Sequence, residues 1–191
     1  MNEKYIINLA TSALISYFDN GYEYTQVIEG DDIFIIRQSP DDIVKASFLY
    51  MGSSVEGAIE SARSILKKRY MLPIGLSVKH NIFLIRCHAK CKPGTVWLVH
   101  SHIEDIMPNP ANERKTIVYL KDGHSLTIEI KPEWLQTKRN QASFLHSVLL
   151  DRSNMNAPIT FLYDKEKGIT LIKDAKQLNY TIRQKEKSKK E

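Results

Sequence analysis

The chain reads as an α+β fold, antiparallel β-hairpins packed with two or three helices, and three observations predict it. The tight-turn pairs Asn20-Gly21 and Asp122-Gly123 each join two runs of strand composition, the strongest short-range hairpin signal. Two segments in the first half carry helix-start chemistry followed by apolar side chains at helical spacing. No internal repeat and no linker rich in Gly, Ser or Pro divides the body, so 191 residues with 42% hydrophobic side chains build one core. The predicted organisation is a single domain over 1–172 and a basic tail over 173–191.

The elements follow in order. Ser12 to Asp19 is mostly apolar, and Tyr22 to Glu29 alternates apolar with polar, which makes the first hairpin. A third strand runs from Ile33 to Arg37. Ser39-Pro40-Asp41-Asp42 supplies a cap, a first-turn proline and two acids, and the helix it starts ends before Gly52. Ser53-Ser54-Val55-Glu56 fits a capping box between Ser53 and Glu56 and opens a second helix. Its buried stripe is Val55, Ile59, Ala62 and Leu66, with Glu60, Arg63 and Lys67 outside. Lys67-Lys68-Arg69 closes it, where cations suit the C-terminal dipole, and Pro73 ends any continuation. Strands are then predicted over Ile82–Arg86, Thr95–Ile103, Lys115–Leu120 and Ser125–Ile130, with Met107–Asn112 a loop because it holds two prolines. Pro132 and Thr137 mark a third helix entry, with Ala142, Leu145 and Leu149 inward and Lys138 and Arg139 exposed. A last hairpin pairs Ile159–Tyr163 with Ile169–Ile172.

The formal net charge is +5, and the segment from Lys173 to Glu191 holds seven basic and three acidic side chains, which leaves the body close to neutral. A basic tail is either a solvated end or a phosphate-attracting arm. No apolar run approaches the roughly 20 residues of a bilayer span. The start Met1-Asn2-Glu3-Lys4 has no secretory pattern, so the reading places the chain in the cytoplasm, without membrane contact. Cys87 and Cys91 are read as reduced thiols.

Within the predicted Thr95–Ile103 strand, residues two apart share a face, so His100 and His102 point one way beside Trp97. Two imidazoles followed by Glu104 and Asp105 approach the ligand set of a metal-dependent hydrolase, although Asp105 stands where a further histidine is wanted. Cys87 and Cys91 make half of a structural zinc site, which His100 or His102 would have to complete; a buried thiol and a loop thiol are the alternative. The loops that bind dinucleotides or nucleotide phosphates, and the GxSxG elbow, are missing, so the chain is read as no enzyme, with no cofactor and no bound metal. Free amides and hydroxyls at Ser53 and Ser54 could seat a phosphate, or simply cap the helix. Lys67, Lys68 and Arg69, Lys90 and Lys92, and Lys138 and Arg139 could together track a phosphate backbone. No helix-turn-helix, zinc finger or basic zipper is present, so a DNA binder of this kind fits a strand or loop reader of the minor groove.

Gly52-Ser53-Ser54 with Gly57, Trp97-Leu98-Val99-His100-Ser101-His102-Ile103, the Lys121-Asp122-Gly123-His124 hairpin and the helix from about Thr137 resemble the competence transcription factor family, ComK, over residues 5 to 163. The resemblance implies a transcriptional activator of bacterial DNA-uptake and recombination genes. It implies binding to paired A·T-rich boxes of double-stranded DNA, chiefly through the minor groove, as a homodimer or higher homo-oligomer associated with the nucleoid. It also implies contacts with RNA polymerase. Phe161-Leu162-Tyr163-Asp164-Lys165 looks like the family's segment for a proteolytic adaptor, with Asp164 in place of a proline, and the Lys173–Glu191 tail departs from the family pattern. On this reading Ser53 and Ser54 sit at a phosphate. Lys67, Lys68, Arg69, Lys90, Lys92, Lys138 and Arg139 line the backbone or groove, and His100 and His102 are further contacts. A metal-dependent hydrolase using His100 and His102, and a protein-interaction module without DNA binding, are the competing readings.

Overall fold

The computed structural model describes residues 4–88, 94–153, 169–173 and 180–184. Strands β1 (Thr11–Asp19) and β2 (Tyr22–Glu29) form the expected hairpin, and Asn20 and Gly21 both take positive φ, 49° and 80°, as a type I′ turn requires. Strand β3 (Asp32–Ile36) follows, then helix α1 (Pro40–Tyr50), whose Ser39 cap accepts the Asp42 amide at 3.2 Å.

Helix α2 (Val55–Leu66) begins one residue later than the capping box predicts: its cap is Ser54, whose hydroxyl accepts the Gly57 amide at 3.1 Å. Ser53 is already committed. Its amide and hydroxyl both donate to the Phe48 carbonyl, at 2.9 and 3.3 Å, and so close α1, while Gly52 makes the reversal at φ 73°.

Strands β4 (Ile74–Ser77), β5 (Ile82–Cys87) and β6 (Val96–Val99) come next, then a 3-10 turn over His100–His102. Strands β7 (Ile103–Asn109), β8 (Asn112–Leu120) and β9 (Ser125–Ile128) and helix α3 (Pro132–Ser153) complete the body. All pairings are antiparallel, in a six-stranded sheet of order β3-β2-β1-β6-β5-β4 and a three-stranded sheet β7-β8-β9.

Two corrections concern this middle region. The stretch Thr95–Ile103 is not one strand, because the 3-10 turn passes the chain from one sheet to the other. Met107, Pro108 and Asn109 are not loop but the end of β7, which tolerates a proline because it pairs on one side only, with β8.

The six-stranded sheet is buried on both faces, which is why β5 reads as an unbroken apolar run. Ile82 and Leu84 point with Leu14, Val27 and Trp97 toward Ile43, Val44 and Phe48 of α1. Phe83 and Ile85 point with Ala13 and Leu98 toward Leu135, Ala142 and Leu145 of α3 and toward Ile103, Val118 and Leu120 of the smaller sheet. Helix α2 contributes to both layers, with Ile59 in the first and Ala62 in the second. Helix α3 starts at Pro132; Thr137 lies a turn inside it, its hydroxyl bonded to the Glu133 carbonyl at 2.8 Å. No helix among the described residues is long and apolar enough to cross a membrane.

A second unit is described only as a hairpin, β10 (Ile169–Lys173) with β11 (Tyr180–Gln184). The predicted partner Ile159–Tyr163 lies outside the described residues; the strand that pairs with Ile169–Lys173 comes from the segment read as a tail.

Candidate nucleic-acid interface

Helix α2 stops because Lys67 turns left-handed at φ 53°, its amide still bonded to the Arg63 carbonyl at 3.0 Å. The chain then runs through Lys68, Arg69 and Tyr70 fully on the surface, and Tyr70 is 80% exposed. Among the described residues no carboxylate pairs with Arg63, Lys67, Lys68 or Arg69. Two other cations do have carboxylate partners: Arg86 pairs with Asp41, and Lys115 with Glu129 at 3.1 Å.

Lys138 is not exposed as the sequence reading has it. It is buried at 7%, on the same stripe of α3 as Leu135, Ala142 and Leu145, a spacing of three and four residues that the sequence already carries. Its ammonium lies 5.2 Å from the Trp134 ring centroid and donates to the Gln141 Oε1 at 3.2 Å. Burial, and then the charge of Lys68, push its pKa below the usual lysine value.

Arg139 points elsewhere. Its guanidinium donates to the carbonyls of Ile103 (2.8 Å) and Glu104 (3.1 Å) and fastens α3 to the start of β7. This occupation suits it to structure more than to phosphate contact.

The histidines do not share a face. In the 3-10 turn His100 reaches α3, with Nε2 2.9 Å from the Ser143 hydroxyl, and Nδ1 has no partner among the described residues. Burial first, then the nearby charges of Arg139, His146 and Lys121, lower its pKa to about 4, so at neutral pH it brings no charge to a phosphate. His102 turns to β1: Nδ1 lies 2.8 Å from the Ser12 hydroxyl and 3.6 Å from the Asp122 carboxylate, and Ser12 also bonds Asp122. The other nitrogen, Nε2, meets the Leu9 carbonyl at 3.0 Å and must carry a proton, because a carbonyl only accepts.

This Ser-His-Asp grouping is not a nucleophilic triad. There the serine and the carboxylate use opposite ring nitrogens, whereas here both use Nδ1 and the backbone holds the other. The grouping ties the start of β1 to the turn between β8 and β9.

No cluster of three metal-ligating side chains occurs among the described residues. Asp105 bonds the Ile106 amide at 2.8 Å, and Cys87 is a core side chain, 3% exposed, whose thiol pKa burial pushes up to about 12. Trp97 packs as expected, its Nε1 donating to Asp41 at 2.7 Å beneath the Arg86 guanidinium.

Of the predicted contacts, the fold therefore gathers Lys67, Lys68, Arg69 and Lys138. Ser53 and Ser54 stand at the opposite end of α2, about 18 Å away at 1.5 Å per residue, with their hydroxyls used in helix capping. Lys90, Lys92 and Cys91 lie outside the described residues, as does Phe161–Lys165. Arg63 was missed by the sequence reading beyond its place on the outer face of α2; its signal is the spacing that sets it one turn before Lys67.

Comparison with known proteins agrees with this span. The profile of the family described as ComK protein matches residues 2–154. A curated relative, the competence transcription factor of Bacillus subtilis (strain 168), is 25% identical over 175 residues, covering 90% of each chain. No solved structure matches. A family match that extends from the first hairpin through α3 includes both core layers and the cationic corner between α2 and α3, and on that ground the chain belongs to the ComK protein family.

Proposed function

We propose that this chain, by family a competence transcription factor, is a DNA-binding activator of bacterial competence genes that engages paired A·T-rich boxes mainly through the minor groove, as a homo-oligomer in the nucleoid. The observation that carries this reading is the cationic corner where α2 ends against α3. Lys67, Lys68 and Arg69 are exposed without a carboxylate partner among the described residues, and the charge of Lys68 reaches Lys138 and lowers its pKa. Like charges held together cost the isolated fold stability, and an external polyanion repays that cost. Cations set on a rigid helix end suit phosphates flanking a narrow, strongly negative A·T groove. Two copies on paired boxes would multiply affinity without new contact types. RNA polymerase and a proteolytic adaptor remain the family's implied protein partners, with Phe161–Lys165 as the adaptor segment.

The test is titration of the full chain against A·T-box and scrambled duplexes at several salt concentrations. The expected result is preference for the boxes and a linear fall of log affinity with log salt. In the triple variant Lys67→Gln, Lys68→Gln, Arg69→Gln, that slope should fall by roughly 2.7, at about 0.9 per lost phosphate contact. Equal binding to both duplexes, or an unchanged slope in the triple variant, refutes the reading.

A further inference from the structure

The connection from α2 to β4 carries more than charge. Immediately after Lys67-Lys68-Arg69 stands Tyr70, at 80% the most exposed large hydrophobic side chain among the described residues, followed by Met71 at 40%. An isolated exposed aromatic is unremarkable on a protein surface. This one is set apart by its frame. Lys67 and Met71, at φ 53° and 51°, are two of the four non-glycine residues with positive φ among the described residues, and they bracket the turn at both ends. Leu72 (7% exposed) and buried Pro73 then anchor the chain in the core beside Ala62. Between these two left-handed residues the side chains of Lys68, Arg69 and Tyr70 all stand in solvent, next to a chain that re-enters the core at Leu72.

We propose that Tyr70 is a second kind of contact in the DNA interface: its ring lies against sugars and base edges in the groove, while Lys67, Lys68 and Arg69 hold the flanking phosphates. The inference rests on the DNA-binding reading above. Double-stranded DNA is favoured over a protein partner because the ring directly follows three cations that have no carboxylate partner among the described residues, which recruit a polyanion and repel a basic protein surface. The groove supplies what a tyrosine needs, since apolar side chains pack against its walls and base steps and the hydroxyl stays hydrated at its mouth. Cations and ring then divide the work. The cations set the salt dependence and the ring adds affinity that salt does not screen.

That division makes the proposal testable in the full chain. Tyr70→Ala and Tyr70→Phe are titrated against a labelled A·T-box duplex and a scrambled duplex at several salt concentrations. Thermal unfolding of each variant checks that an exposed position leaves stability unchanged. The expected result is a loss of about tenfold in affinity for the box in Tyr70→Ala, of the size of one stacked or inserted aromatic, with the salt slope unchanged and Tyr70→Phe close to the parent. A Tyr70→Ala chain that binds as the parent does overturns the proposal and leaves the DNA reading standing; so does a loss that comes with a reduced salt slope, or one that Tyr70→Phe shares. Failure of the parent to prefer the box refutes the DNA reading and this inference with it.

Discussion

His100 makes folding depend on pH in a way that can be worked out from its surroundings. The imidazole is partly buried against α3, its Nε2 meets Ser143 at 2.9 Å, and it faces Arg139, His146 and Lys121. Burial and these charges lower its pKa from 6.5 to about 4. Between those two values the unfolded chain binds a proton that the folded chain does not, so stability rises with pH across the window. The contribution is fully present above 6.5 and is lost as pH falls through it toward 4. At about 1.4 kcal/mol per pH unit the whole drop amounts to at most about 3.5 kcal/mol, before solvent screening of this partly exposed group reduces it. The assay is urea unfolding followed by circular dichroism at several pH values from 7 down to 4.5, for the parent and for His100→Gln, which can still bond Ser143 but does not titrate. The parent should lose stability faster than the variant on acidification, and the difference between them should shrink by an amount on the order of 2–3 kcal/mol over that range. Parallel curves would show that His100 titrates alike in both states and would refute the account of its surroundings.

Two further predictions concern packing. A methyl group at Gly75 would meet the Phe83 ring at 2.7 Å, and that ring is fully buried, so Gly75→Ala should destabilise the chain by about 1–3 kcal/mol in urea unfolding; a neutral result would mean that the edge strand β4 yields freely. Lys138→Met replaces a buried ammonium held near Lys68 with an apolar side chain of similar length. It should leave thermal stability equal or higher, while a loss of more than about 1 kcal/mol would show that the contacts to Trp134 and Gln141 outweigh the burial cost.

Much of the fold was legible because local chemistry and global architecture agree. The Asn20-Gly21 turn, the Ser39-Pro40 helix start, the apolar stripe of α2 and the Asp122-Gly123 turn each require a particular backbone conformation from the residues present. Strand β4 escaped notice because four residues interrupted by Gly75 give too short a period to detect; its pairing with β5 comes from the sheet. Pro108 misled for a related reason, since a proline forbids a strand only where its missing amide is needed, and one-sided pairing is a property of the sheet.

The candidate site divides along the same line. Sequence alone determined the fold class, both hairpin turns, the cap of the first helix, the run Lys67-Lys68-Arg69 and the resemblance to the family. Each of these depends on residues within a few positions of one another, where backbone preferences act directly. Only the tertiary structure decided that His100 and His102 part company in a 3-10 turn, that Arg139 serves backbone carbonyls, and that Lys138 is buried within reach of the charge of Lys68. Those outcomes depend on which surface lies opposite a side chain, and burial and Coulomb energy are set by neighbours distant in the chain.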